Sequence, residues 1–253
     1  MPTRFSVINY AANHIFFALR DRFALREMSP MGDVDRADSI DFIDREMETV
    51  AGSRHFMAEL CREGDAQCRR AARWFIYQVF LKECEENGSI LRSCDENGHT
   101  IAESWWTLNT VPTFVNYISL LLEFVTSTFW YGLCATGWRK LLAGLKLFLA
   151  VKATAPKKDG KPTAFLMLEN MAVARSHRRK KYGAAHMMLG CSAADSLNMP
   201  IMLCVPDPSN IAFYELFGFR DMGQIPGLPR KFDYYHWMVR EPCAPIRYNC
   251  SFI

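Results

Sequence analysis

LENMAVARSHRRKKYGAAHMMLGCSAADSLNMPIMLCVPDPSNIAFYELFGF, running from Leu168 to Phe219, decides how this chain folds. It begins with an apolar run ending at Val173, which reads as a buried strand. A turn crowded with positive charge follows, Arg175-Ser176-His177-Arg178-Arg179-Lys180-Lys181, and closes on Tyr182-Gly183. Ala185, Met188, Leu189, Ser192 and Ala193 then recur at helical spacing until Asn198-Met199-Pro200 stops the pattern. Ile201 to Val205 is a second short apolar strand. Asp207-Pro208 opens another helix, with proline suited to its first position, and Gly218 ends it. Strand, cationic turn, helix start and second strand make one device. The first N–H groups of a helix carry partial positive charge, so the turn can hold a phosphate or pyrophosphate. An isolated Arg/Lys cluster would read as a solvated surface run or a nuclear-import patch. Its place between a buried strand and a helix start favours phosphate.

These residues also carry a resemblance. Val173 to Gly183 resembles the cofactor turn of the GNAT acyl-CoA N-acyltransferases, Arg/Gln-x-x-Gly-x-Gly/Ala. Here the six positions read Arg178-Arg179-Lys180-Lys181-Tyr182-Gly183. The first and last match, and Lys181 stands where the family usually has glycine. Asn210-Ile211-Ala212-Phe213-Tyr214-Glu215-Leu216-Phe217-Gly218-Phe219 resembles the Asn-x-x-Phe-Tyr-Glu-x-x-Gly-Phe segment of the puromycin N-acetyltransferase-like branch. The resemblance implies an α/β fold: a mixed, mostly antiparallel central sheet, helices on both faces, and a helical insertion between the third and fourth strands. It implies acetyl-CoA as donor and direct transfer to a primary amine within a ternary complex.

Site residues follow from the same resemblance. Backbone amides of Arg179, Lys180, Lys181, Tyr182, Gly183 and Ala184 would hold the pyrophosphate, with Arg178 and Lys180 reaching the 3′-phosphate. Lys181 brings a Cβ that crowds the turn if its φ is positive, and an ammonium that adds favourable charge. Backbone groups of Met171, Ala172 and Val173 would pair with the pantetheine amides. Asn210 would bond the pantetheine arm, or cap the helix turn; Phe213 lies beside it as a cofactor contact or core residue. Tyr214 would be the general acid that protonates the leaving thiolate, against a reading in which it packs beside Phe213, Phe217 and Phe219. Glu169, placed by strand alternation on the face of Met171 and Val173, would bind or deprotonate the amine. Its alternative is a strand-edge carboxylate facing solvent or the basic turn.

The chain is 253 residues long, half apolar and under a quarter charged, which is enough for a full core and argues against disorder. We expect one domain over 1–253, with an N-terminal arm at 1–22, an apolar insertion at 109–160 and a cofactor-binding core at 163–219. A net charge of +3 does not point to nucleic acid. Nine cysteines, an odd number without a CxxC pair, argue for reduced thiols in an intracellular, cytoplasmic protein and against a zinc site. Six scattered histidines lack ligand spacing, so no metal is expected. The first seventeen residues lack a clear cleavage site and read as an arm or helix packing on the domain, with a signal peptide as the alternative.

Along the chain, Phe23 to Met28 reads as the first strand and Val34 to Val50 as a helix with apolar positions at 34, 37, 40, 43, 47 and 50. A second helical stretch covers about 66–84. Ser89 to Cys94 and His99 to Thr107 form a hairpin around Asn97-Gly98, and Asn87-Gly88 marks a further turn. Pro112 to Ala150 carries two apolar helical stripes, expected as a lid over the site rather than a membrane span, because its polar positions include Asn116, Ser119, Glu123 and Arg139. Thr163 to Val173, Arg220 to Gln224 and Phe232 to Val239 complete the strands. The acceptor reads as a small, partly hydrophobic amine. A protein or peptide amine, or a catalytically inactive CoA-binding or membrane-associated protein, remain alternatives, and the sequence does not indicate oligomeric state.

Overall fold

The computed structural model describes residues 6–11, 13–28, 31–47, 66, 80–109, 164–225 and 235–243. Seven strands form one sheet in the order β1-β2-β3-β4-β5-β7-β6: β1 Leu25–Glu27, β2 Gly88–Cys94, β3 Thr100–Asn109, β4 Phe165–Val173, β5 Ile201–Val205, β6 Arg220–Gln224 and β7 His236–Arg240. β4 and β5 run parallel, and every other neighbouring pair is antiparallel. The hairpin around Gly98 forms as the sequence predicts, with φ +83° at that glycine.

The two faces carry separate cores. On one lie α1 Val7–Tyr10, α2 Asn13–Phe23, α5 Tyr182–Ser196 and α6 Ile211–Glu215. Ile15, Leu19, Met187 and Leu189 from these helices meet Leu91, Trp106, Leu166, Leu168 and Val205 from the strands. α5 is buried without a break from Ala185 to Asp195, so the one-sided stripe expected from sequence is only half of what it buries. Its outer side is covered by α1 and α2, and a helix enclosed on both sides can be apolar all round. Gly190 lets it settle on the sheet: a Cβ there would lie 2.1 Å from the Trp106 ring.

The opposite face holds α3 Asp33–Met47 and α4 Lys82–Asn87, with Phe42, Ile43, Leu81 and Cys84 packed on Ile90 and Trp105. A buried ion pair pins α3 there: Arg92 Nε donates to Glu103 Oε2 at 2.8 Å, and Arg92 Nη2 donates to the Asp35 carbonyl at 3.0 Å. Glu103 also accepts from Trp105 Nε1 at 2.6 Å, so neither buried charge is left unsatisfied.

Differences from the sequence expectation are local. Phe23 ends α2 instead of starting a strand, and the N-terminal arm includes helices packed on α5. Val34 is 76% exposed, because α3 turns Ser39, Phe42, Ile43 and Glu46 inward. Asn87-Gly88 passes directly from α4 into β2. The helical stretch 66–84 lies mostly outside the described residues. The insertion expected at 109–160 lies outside them except for Asn109, which ends β3, and the loop 155–162 lies wholly outside them. Among the described residues, no helix is long and apolar enough to cross a membrane.

Candidate functional site

β4 is shared between two neighbours that it does not keep equally long. Its pairing with β5 ends at Leu168↔Leu203, whereas its pairing with β3 continues to Val173. The strands part where β4 carries a bulge: Trp106 faces Leu168 and Trp105 faces Asn170, so Glu169 is the extra residue. Beyond the bulge, the Ala174 N–H bonds the Ile101 carbonyl at 2.7 Å, so that residue faces β3. Alternation turns the backbone of Ala172 the same way and that of Met171 and Val173 towards the gap left by β5. Met171 and Val173 therefore turn their backbone groups to the gap. Ala172 presents no backbone group to the gap.

The cationic turn follows at once. Arg175–His177 form one 3-10 turn, and Arg179 and Lys181 adopt φ +63° and +69°. Lys181 thus takes the left-handed conformation in which the family places glycine, at the residue preceding α5. The first helical bond runs from the Ala185 N–H to the Lys181 carbonyl at 3.0 Å. No side chain caps this end, and the N–H groups of Tyr182, Gly183 and Ala184 have no partner among the described residues. A left-handed residue followed by a helical one forms a concave nest of N–H groups, which suits an anion. Gly183 brings the parts together. A Cβ built on it would lie 3.5 Å from Val173 Cγ2 and 3.6 Å from Phe213 Cζ.

The basic side chains divide. Arg178 is engaged in the protein: Nε donates to the Val173 carbonyl at 3.2 Å and Nη2 to Glu46 Oε2 at 3.0 Å, which ties the turn to α3. Arg175, Arg179 and Lys180 are exposed and pair with no carboxylate among the described residues. On the α3 side of the turn, a cleft of about 580 Å³ is lined by Arg45, Glu46, Asp95, His99, Arg175 and His177 among others. That cleft lies across the turn from the β4–β5 gap.

At α6, Asp207 caps the preceding 3-10 turn by accepting from the Ser209 N–H at 3.0 Å, whereas Asn210 is exposed and its side chain caps nothing. The Tyr214 ring meets Phe213 and Phe219 at 5.2 and 5.9 Å between centroids. The residue is half-buried. Burial raises that phenol above its ordinary range, and nearby Cys204 raises it further, so Tyr214 keeps its proton. No hydrogen-bond partner holds the hydroxyl among the described residues. Phe213 packs on the core, as its packing reading expects, and its ring lies in contact range of the Gly183 position.

Glu169 accepts from Thr107 Oγ1 at 3.0 Å. Thr107 pairs with Met167 on the α3 face, while Met171 packs against the α5-side core. Glu169 and Met171 therefore lie on opposite faces, which corrects the expectation from simple alternation. The bulge inserts one residue and reverses the phase of the strand.

Sequence reasoning passed over His186, which lies three residues after Gly183. It is wholly buried between Ser104 Oγ, 2.8 Å from Nδ1, and Ser93 Oγ, 3.1 Å from Nε2. Desolvation holds its pKa down at about 3, so it is a neutral bridge fixing α5 to β2 and β3. Burial likewise pushes the Cys191 thiol up to about 12, as fits a core residue. Among the described residues, no three potential metal ligands gather.

No family model matches the sequence, and no curated protein matches it. Solved structures do. The structure of "histone acetyltransferase HPA2 and related acetyltransferase" from Corynebacterium glutamicum superposes with a TM-score of 0.53 at 17% identity, covering 87% of this chain and 96% of that one. Arylalkylamine N-acetyltransferase 2 from Aedes aegypti gives a TM-score of 0.53 at 10% identity, covering 86% of this chain and 98% of that one. The fold is that of the GNAT acetyltransferases: an open, mostly antiparallel sheet of seven strands with helices on both faces.

Proposed function

We propose that this protein is an acetyl-CoA-dependent N-acetyltransferase acting on the primary amine of a small, partly hydrophobic molecule. One observation carries the reading. β4 leaves β5 at Leu168, and the strand so freed leads directly into the uncapped N-terminus of α5, with Gly183 in contact range of Val173. A bare strand edge suits the amides of a pantetheine arm, and the adjoining N–H nest suits a pyrophosphate. The residues present fit that ligand. Lys181 already holds the positive φ, Gly183 adds no side chain, and Arg179 and Lys180 lie exposed nearby. Arg178 contributes by fixing the turn rather than by reaching a phosphate, since its guanidinium is already bonded to Val173 and Glu46.

Bound acetyl-CoA would supply the thioester acyl group. Met171 and Val173 hold its arm by their backbone groups, and Asn210 is exposed beside α6 to bond it. Tyr214, which keeps its proton, would give it to the sulfur as the neutral amine forms its bond to the acyl carbon and the carbon–sulfur bond breaks. Glu169, positioned by Thr107, attracts the acceptor ammonium and draws a proton from it, directly or through water. Phe165, Tyr235 and Val239, half-buried at the rim of an apolar cluster on the face of Glu169, favour an acceptor with an apolar body.

Thermal unfolding with and without acetyl-CoA tests the binding half, because a ligand that binds only the folded state raises the midpoint. Gly183→Asp places a carboxylate in the nest and should abolish the rise. Thiol release with a panel of primary amines tests the chemistry. A midpoint indifferent to acetyl-CoA, or a rise that survives Gly183→Asp, refutes this site.

A further inference from the structure

On the sheet face away from α5, two apolar clusters stand side by side. One gathers Phe42, Ile90 and Trp105 with Ala172 against it, and the other gathers Met167, Met202, Ile225 and Trp237. β4 contributes to both. Between those contributions, the bulge sets two polar residues together on this one face: Glu169, through its bond with Thr107, and Asn170, through its pairing with Trp105. Regular alternation would have sent one of them to the α5 side. The two differ in how they are held. The Glu169 carboxylate accepts from Thr107, whereas Asn170 is half-buried and its carboxamide has no hydrogen-bond partner among the described residues.

A carboxamide offers two donors and an acceptor with two lone pairs, a set that complements another amide. Leaving it unpaired as the face fills is costly, and pairing it with a matching group recovers that cost. We propose that Asn170 is a specificity-determining residue of the acceptor site, bonding an amide carried next to the reactive amine. The acceptor class is then an α-amino amide with an apolar side chain. Glu169 takes the ammonium, its neighbour Asn170 takes the adjoining amide, and half-buried Phe165, Tyr235 and Val239 at the rim of the second cluster meet the side chain. This inference rests on the acetyltransferase reading above and deepens it.

Phenylalaninamide and phenethylamine test it, because they differ only in the carboxamide. Acetyl-CoA is the donor and released thiol the readout. Asn170→Ala should lower kcat/KM for phenylalaninamide roughly tenfold, the effect of one lost hydrogen bond, and leave phenethylamine nearly unchanged. Asn170→Ser, which keeps a hydroxyl, should give a smaller loss confined to the same acceptor. The acetyl-CoA-induced thermal shift should be intact in both variants. Equal losses on both amines, or none, overturn the role of Asn170 while the acetyltransferase reading stands. Failure of the unaltered protein to acetylate either amine overturns both.

Discussion

Asp195 and Arg240 meet as a buried, two-pronged ion pair, with Nη1 donating to Oδ1 at 2.7 Å and Nη2 to Oδ2 at 2.8 Å. Each side chain is 3% exposed. Arg240 Nε also donates to the Phe217 carbonyl at 2.9 Å, and Asp195 Oδ1 accepts from the Cys243 N–H at 2.9 Å. One contact thus joins the last turn of α5, the end of β7 and the chain leaving α6.

Removing one partner strands the other charge in the interior. Asp195→Ala should cost about 3–5 kcal/mol, read as a lower urea midpoint. Replacing both, as Asp195→Leu with Arg240→Met, should recover most of that loss. A single variant as stable as the original would show that the pair contributes nothing.

His186 makes stability fall with pH in a definable window. Its pKa lies at about 3 in the folded protein against 6.5 in the unfolded chain, so between those values the unfolded state binds the extra proton. Stability from this group is complete above 6.5 and declines as pH falls towards 3. Between pH 7.5 and 5.5 the loss should be about 1.4 kcal/mol. Urea titrations at the two pH values should show it, and His186→Gln should remove that part of the slope.

Lys181 holds a left-handed conformation that its Cβ disfavours. Lys181→Gly should relieve about 1–2 kcal/mol of strain and raise the unfolding midpoint, less what glycine loses in the unfolded chain. Lys181→Val should lower it, because a β-branched residue tolerates that φ worst. Equal midpoints for the three proteins would mean that the turn relaxes freely.

Tyr214→Phe keeps the ring contacts with Phe213 and Phe219 and removes the hydroxyl. On the proposed mechanism kcat should drop about 10²-fold, the low end for general acid catalysis, with little change in KM for acetyl-CoA. Unchanged kcat would reduce Tyr214 to a packing residue.

Much of this architecture was legible because it follows local rules. β5, β6 and the hairpin fall within two residues of their expected limits, since short apolar or alternating runs bounded by turn residues leave little freedom. The turn from Arg175 to Gly183 was legible for the same reason, and the left-handed conformation of Lys181 could be anticipated from where glycine is usual. The bulge was not. Nothing in Leu168-Glu169-Asn170-Met171 distinguishes a regular strand from one that inserts a residue, because the insertion is decided by the partner strand. Glu169 was therefore put on the wrong face and Asn170 passed over. The buried bridges made by His186 and by Asp195 with Arg240 were hidden similarly. Each joins elements far apart in sequence, and periodicity does not report distant partners.

The parting of β4 from β5 has a consequence for how this sheet meets its surroundings. From Met171 to Val173 the strand is an edge in the middle of a sheet, with backbone donors and acceptors one neighbour short. Outer edges are guarded against chance pairing by brevity and charge, and β6 has both, being five residues long with Arg220 and Asp221 at its start. The inner edge is briefer than β6, and the Arg178 guanidinium covers the Val173 carbonyl at its end at 3.2 Å. On the proposed function, a ligand bound there would complete the sheet as a missing strand does, so that capturing it would also cover the edge.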